Sequence, residues 1–223
     1  MDIIEHPSPN FDQRPEGVEI NMLVIHYTGM KMADEALARL CDPGARVSSH
    51  YFITEDGKIY CLVSEVNRAW HAGVSFWRGE TDCNGCSIGI ELQNPGHEFG
   101  YENFPEAQVQ SLETLARDIL GRHPIPPTNV VGHSDIAPAR KSDPGERFPW
   151  RRLAGRGIGA WPESSGARDT GIAAGRLLAD LGYQTEDLGA ALTAFQRHYR
   201  TRVIDGEADD ETLALMVALK QQG

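Results

Sequence analysis

The chain has 223 residues, of which 40% are hydrophobic and 24% charged, the make-up of a globular protein long enough to bury a core without disulfide staples. Its 21 Lys and Arg against 32 Asp and Glu leave a net charge of −11, which argues against nucleic acid as a partner and against docking on an anionic membrane. No run approaches 18 consecutive apolar residues, so no membrane span is expected.

The start, Met1-Asp2-Ile3-Ile4-Glu5-His6-Pro7, shows neither the basic region nor the apolar stretch of a secretory leader. A cytoplasmic location is the expectation, with the periplasm or cell envelope as the alternative where a leader has been removed. Val18 to Ile25 reads as a buried strand and Ala33 to Leu40 as a short helix. Tyr51 to Thr54 and Lys58 to Val63 flank Asp56-Gly57, a strong hairpin signal. Ser87 to Leu92 reads as another strand. Pro105 can open a helix whose apolar face, Val109, Leu112, Ala116, Ile119 and Leu120, is stopped by Gly121, and Asn129 to Gly132 follows as a strand. The expected fold is α/β, a mixed central sheet flanked by helices over residues 1–162. Gly, Ser and Pro then mark a linker at 163–170. Residues 171–223 read as a small three-helix module, with helices around Ile172 to Leu181, Leu188 to Tyr199 and Leu213 to Leu219, the last behind Asp209 and Asp210 as N-caps. A monomer is expected.

The four cysteines, Cys41, Cys61, Cys83 and Cys86, are expected to be reduced thiols. Cys83-Asn84-Gly85-Cys86 lacks the second ligand pair of a structural zinc site. It reads as a loop with incidental thiols, reversible oxidation being the second reading.

Eight histidines need sorting. His6 and His123 each precede a proline in a turn, and His97 and His198 read as solvated. His26 and His133 differ, because each closes an apolar strand, where open α/β sheets place their sites. His50 and His71 stand beside aromatic residues. Asp143, in Lys141-Ser142-Asp143-Pro144-Gly145, can turn back toward the same cleft or merely cap its turn. Two His and one Asp make a catalytic zinc set with an open fourth position. Glu91 is an acid inside an apolar strand, a candidate general base or one half of a buried salt bridge. Lys141 is a candidate oxyanion donor or simply a surface charge.

Val24-Ile25-His26-Tyr27-Thr28, Val47-Ser48-Ser49-His50-Tyr51, Ala69-Trp70-His71-Ala72-Gly73-Val74-Ser75, Ser87-Ile88-Gly89-Ile90-Glu91 and Gly132-His133-Ser134-Asp135-Ile136-Ala137-Pro138 through Lys141-Ser142-Asp143-Pro144-Gly145 stand in a family's order. The chain resembles the zinc-dependent N-acetylmuramoyl-L-alanine amidases related to bacteriophage lysozyme-type amidases and peptidoglycan recognition proteins, from about Ile20 to Trp161. The resemblance implies one zinc held by His26, His133 and Asp143, with Glu91 activating water and Lys141 stabilising the oxyanion. It implies a substrate groove lined by Tyr27, His50, Trp70, His71 and Ala72, taking peptidoglycan or muropeptide. The run from Ala194 to Tyr199 and from Ile204 to Asp209 resembles a peptidoglycan-binding three-helix module. Binding of wall and covering an apolar face of the first domain are both open to it. Two rivals stand beside the amidase: a recognition protein that holds muropeptide without cutting it, which would be expected to lack a zinc ligand, and a zinc peptidase cutting within the stem peptide.

Overall fold

The computed structural model describes residues 1–163 and 173–222. In chain order the strands are Ile3–Glu5 (β1), Phe11–Gln13 (β2), Met22–Tyr27 (β3), Tyr51–Ile53 (β4), Ile59–Cys61 (β5), Asn67–Ala69 (β6), Ser87–Leu92 (β7) and Val130–Gly132 (β8). The helices are Ala33–Cys41 (α1), Cys83–Cys86 (α2), Gly96–Phe99 (α3), Glu106–Arg122 (α4), His133–Ile136 (α5), Trp150–Ala154 (α6), Ala174–Leu181 (α7), Leu188–Tyr199 (α8) and Asp210–Lys220 (α9). Six strands form one sheet in the order β1-β5-β4-β7-β3-β8, while β2 and β6 pair separately. The sheet is mixed: β4 and β5 are antiparallel, as the Asp56-Gly57 hairpin requires, and β4, β7, β3 and β8 run parallel. Parallel strands buried on both faces need apolar residues throughout, and β3 obeys this from Met22 to Ile25, all of them buried.

The two-residue alternation of β3 divides the interior. Leu23 and Ile25 face α4 and pack with its Val109, Leu112, Leu115, Ala116 and Ile119. Met22 and Val24 face the opposite way, into a second core shared with Leu177, Leu178, Phe195, Tyr199 and Met216 of the C-terminal helices. Each fully buried Leu, Ile or Phe contributes roughly 1.5–3 kcal/mol, so α7 to α9 form part of the sheet's cover. Asp187 and Asp209 cap α8 and α9, accepting the N–H groups of Ala190 and Thr212, and Gly182 ends α7 in the left-handed region at φ +117.

Several expected boundaries shift. The strand expected from Val18 begins only at Met22 and runs on through Tyr27, because residues 14–20 form a loop where Arg14 donates to four carbonyl oxygens, those of Glu65, Asn84, Gly85 and Ser87. The strand expected from Asn129 begins at Val130, since Pro127–Asn129 forms a 3-10 turn. The linker at 163–170, apart from Glu163, and Ile172 lie outside the described residues. Among the described residues no helix is long and apolar enough to cross a membrane. Cys83 and Cys86 are buried in the core, and burial raises their thiols to about 11 and about 12.

Candidate active site

The parallel strands bring their carboxyl ends to one edge, the place where open α/β sheets bind ligands. Ile25 of β3 pairs with Gly132 of β8, so the next residues, His26 and His133, emerge side by side. On the other flank of β3, His26 pairs directly with Glu91 of β7, and in a parallel pair such partners share a face. Asp143 follows from the loop after α5, held there by the bond from the Ser134 N–H to its carbonyl oxygen (2.9 Å).

Three ligand atoms converge. His26 Nδ1 and His133 Nδ1 are 3.0 Å apart, and Asp143 Oδ2 lies 3.2 and 3.1 Å from them. All three residues are buried, and they form the one such His/Cys/Asp/Glu group among the described residues. Their neighbours fix the tautomers. The Ser87 hydroxyl donates to the Cys83 carbonyl, so it accepts from His71 Nε2–H at 3.2 Å. Neutral His71 then offers a bare Nδ1, which accepts from His26 Nε2–H at 3.0 Å. His133 Nε2–H donates to the Ala72 carbonyl at 3.0 Å. Both ligand rings therefore carry lone pairs on Nδ1 in their neutral forms, facing a carboxylate. Such a set of acceptors fits a cation, and its edges are close to the roughly 3.4 Å expected of a tetrahedron with bonds of about 2.1 Å.

Burial, then the neighbouring His133, lowers His26 to about 4, which keeps its ring neutral and ready to ligate. Burial alone would raise Asp143, but His133 and His26 outweigh it and hold the carboxyl well below its usual range. Glu91 goes the other way: burial, then the Asp143 charge, raises it to about 8 against the pull of Lys141. Its Oε2 is shielded from solvent and lacks a hydrogen-bond partner among the described residues. A raised carboxyl with an orphaned oxygen beside a metal-ligand set has the character of a proton-transfer group.

A groove of about 410 Å³ opens over these atoms, and Tyr27, Trp70, His71, Glu91, Lys141 and Asp143 are among its lining residues. Two residues expected on its wall stand elsewhere. His50 is fully buried, its Nδ1 accepting the Gly89 N–H and its Nε2 donating to the Asn67 carbonyl; it braces the strands beneath. Ala72 is also fully buried and meets His133 through its carbonyl. His71 reaches the groove with both ring nitrogens already engaged, so its polar atoms serve the metal ligands. Arg140 and Arg39 line the groove too, and nothing but the proximity of Arg140 to Lys141 in the chain marks either.

His198 departs from the solvated expectation, whereas His97 is exposed as expected. His198 is buried, donates from Nδ1 to Asp135 at 2.7 Å and stacks on Trp150 at 3.8 Å. His97 joins Glu146 at 3.0 Å to the Tyr27 hydroxyl at 2.8 Å on the groove's rim.

Comparison with known proteins agrees with this geometry. Residues 16–146 match the model of the family described as N-acetylmuramoyl-L-alanine amidase. The N-acetylmuramoyl-L-alanine amidase AmiD of Escherichia coli is 43% identical over 91% of this chain and 83% of its own length. The 1,6-anhydro-N-acetylmuramyl-L-alanine amidase AmpD of Haemophilus influenzae is 38% identical over 65% of this chain and 86% of its own. Among solved structures, the complex of the Escherichia coli AmiD enzyme with the substrate anhydro-N-acetylmuramic acid-L-Ala-D-gamma-Glu-L-Lys superposes with a TM-score of 0.82 at 40% identity, covering 94% of this chain and 92% of that one. With a family model across more than half its length and a relative across nine-tenths of it, the chain belongs to the N-acetylmuramoyl-L-alanine amidase family.

Proposed function

We propose that the protein is a zinc-dependent amidase that cleaves the bond between the lactyl carbonyl of N-acetylmuramic acid, in its 1,6-anhydro form, and the L-alanine of the stem peptide, in peptidoglycan turnover and recycling. The observation that carries this reading is the triangle of His26, His133 and Asp143 with the raised carboxyl of Glu91 beside it, His133, Asp143 and Glu91 lining one groove. The anhydro sugar is proposed from the substrate printed for the Escherichia coli complex and from the name of the Haemophilus relative.

Bound to His26, His133 and Asp143, zinc would supply a Lewis acid for the lactyl carbonyl and bring the pKa of a water toward 7. Glu91 takes the proton of the attacking water and returns it to the leaving nitrogen, a double duty suited to a carboxyl whose pKa lies close to the working pH. Lys141 brings the cationic charge at the groove that counters the developing oxyanion. Arg39, which also lines the groove, gives the carboxylates of the stem peptide a counter-charge. Asp143 and the two histidines stay fixed throughout, since their partners hold them before substrate arrives.

Digestion of a soluble 1,6-anhydro-muropeptide followed by mass spectrometry of the fragments tests the bond assignment. The expected product is the whole stem peptide with a free L-alanine amino group. A cut between two amino acids of the stem would establish the peptidase instead, and binding without any cut would establish the recognition protein.

A further inference from the structure

The one-turn helix α2, Cys83-Asn84-Gly85-Cys86, holds no cluster of metal ligands among the described residues, yet it is joined to the metal-ligand triangle through His71 and Ala72. The side-chain carbonyl of buried Asn84 accepts two consecutive backbone N–H groups, those of His71 at 3.0 Å and Ala72 at 2.8 Å. These are the two residues whose acceptors fix the tautomers of the histidine ligands. The His71 ring takes the Nε2–H of His26, and the Ala72 carbonyl takes the Nε2–H of His133. One oxygen thus anchors the backbone from which both outer partners project. The same turn supplies the Cys83 carbonyl, which orients Ser87 and through it the far nitrogen of His71. Arg14 ties the turn down by donating to the carbonyls of Asn84 and Gly85 at 3.1 and 2.7 Å. From the other side the His71 ring lies flat against β7 at Gly89, where an added Cβ would stand only 2.4 Å from it.

We propose that Asn84 is a positioning residue of the metal centre: by fixing the His71–Ala72 backbone it presets the tautomer and aim of His26 and His133, and so sets metal affinity without touching the metal or the substrate. A ring free to rotate or to carry its proton on Nδ1 must be reoriented before it can ligate. Partners that orient metal ligands typically contribute 10–100-fold in affinity. Asparagine suits the position because one carbonyl oxygen has two lone pairs and can accept from both N–H groups.

This inference rests on the metal centre proposed above, and the test keeps the two apart. Zinc affinity is measured by competition with a chromophoric chelator, and the visible spectrum of the Co²⁺-loaded protein reports ligand geometry, neither readout requiring turnover. Wild type that binds no metal would defeat the metal-centre reading itself. Given wild-type binding, Asn84→Ala is expected to weaken zinc by about 10–100-fold and alter the Co²⁺ spectrum, while Asn84→Asp, which keeps the accepting oxygen, stays within about threefold of wild type. Wild-type affinity in Asn84→Ala would overturn the proposal, as would equal weakening in both variants. Should Asn84→Ala not fold, Asn84→Ser, whose single shorter hydroxyl oxygen replaces the amide carbonyl that accepts both N–H groups, takes its place; weaker zinc binding supports the proposal and wild-type binding overturns it.

Discussion

His26 and Glu91 are register partners across the parallel pair β3 and β7. That one pairing places a metal-ligand candidate and a proton-transfer candidate on the same face of the sheet, a strand spacing apart, with no loop needed to bring them together. The floor of the site therefore inherits the rigidity of the sheet, which favours preorganised chemistry. His133, the first residue of α5, follows directly from the end of β8, one residue beyond the Ile25–Gly132 pair. Asp143 and Lys141 come from the loop after α5.

The raised carboxyl of Glu91 makes the metal-free protein pH-sensitive. Its pKa moves from the ordinary 4.5 to about 8, so between those values the folded state holds a proton that the unfolded chain has released. Stability contributed by this group is complete below about pH 4.5 and falls as pH rises toward 8. Thermal melts of the chelator-treated protein are expected to show this decline, and Glu91→Gln, which cannot ionise, is expected to flatten it. An equal slope in both proteins would mean that Glu91 ionises freely in the fold.

Removal of the metal is expected to lower thermal stability, since a ligand that binds only the folded state stabilises it by about 2.7 kcal/mol at 100 times its dissociation constant. His133→Ala leaves two of the three ligands. Elemental analysis should find one zinc per wild-type chain and far less than one in the variant. Full zinc content with intact activity in His133→Ala would place the metal elsewhere.

The C-terminal helices are expected to be needed for stability. Buried Asp135, two residues beyond His133, accepts from the Tyr183 hydroxyl and from His198 Nδ1, each at 2.7 Å. A chain ending at Trp161 loses both donors and uncovers Met22, Val24 and Val131. Each unsatisfied buried group costs about 1–3 kcal/mol, and with the lost apolar cover the melting temperature should fall by about 10 °C or more. Tyr183→Phe, losing one of the two bonds, should lower it by only a few degrees. A truncated chain as stable as the whole would show that the helices are an independent appendage, leaving the binding of wall as their role.

Much of the site was legible because it follows strand ends. The apolar runs before His26 and His133 locate the two histidines, and Ser87 to Leu92 is read with its observed limits, which puts Glu91 in a strand interior. β1, β2 and β6 escaped notice because three-residue strands with partly exposed side chains carry too short a pattern. The burial of His50 depends on the Gly89 N–H and the Asn67 carbonyl meeting it from other strands, and no neighbour in sequence announces that. His198 reads as solvated because its partner Asp135 lies 63 residues away. Asn84 was hidden by the cysteines on either side of it, which draw attention to metal chemistry although the work of the turn is done by an amide oxygen.

The proposed division of labour, in which His26, His133 and Asp143 hold the metal and Glu91 moves the proton, is tested most directly by turnover of zinc-loaded Glu91→Gln on a soluble 1,6-anhydro-muropeptide, with zinc content measured on the same sample. The account predicts one zinc per chain, an unchanged fold and a rate lower by on the order of 10²-fold or more, the share of a general acid–base group. Wild-type turnover from Glu91→Gln carrying its zinc would contradict it.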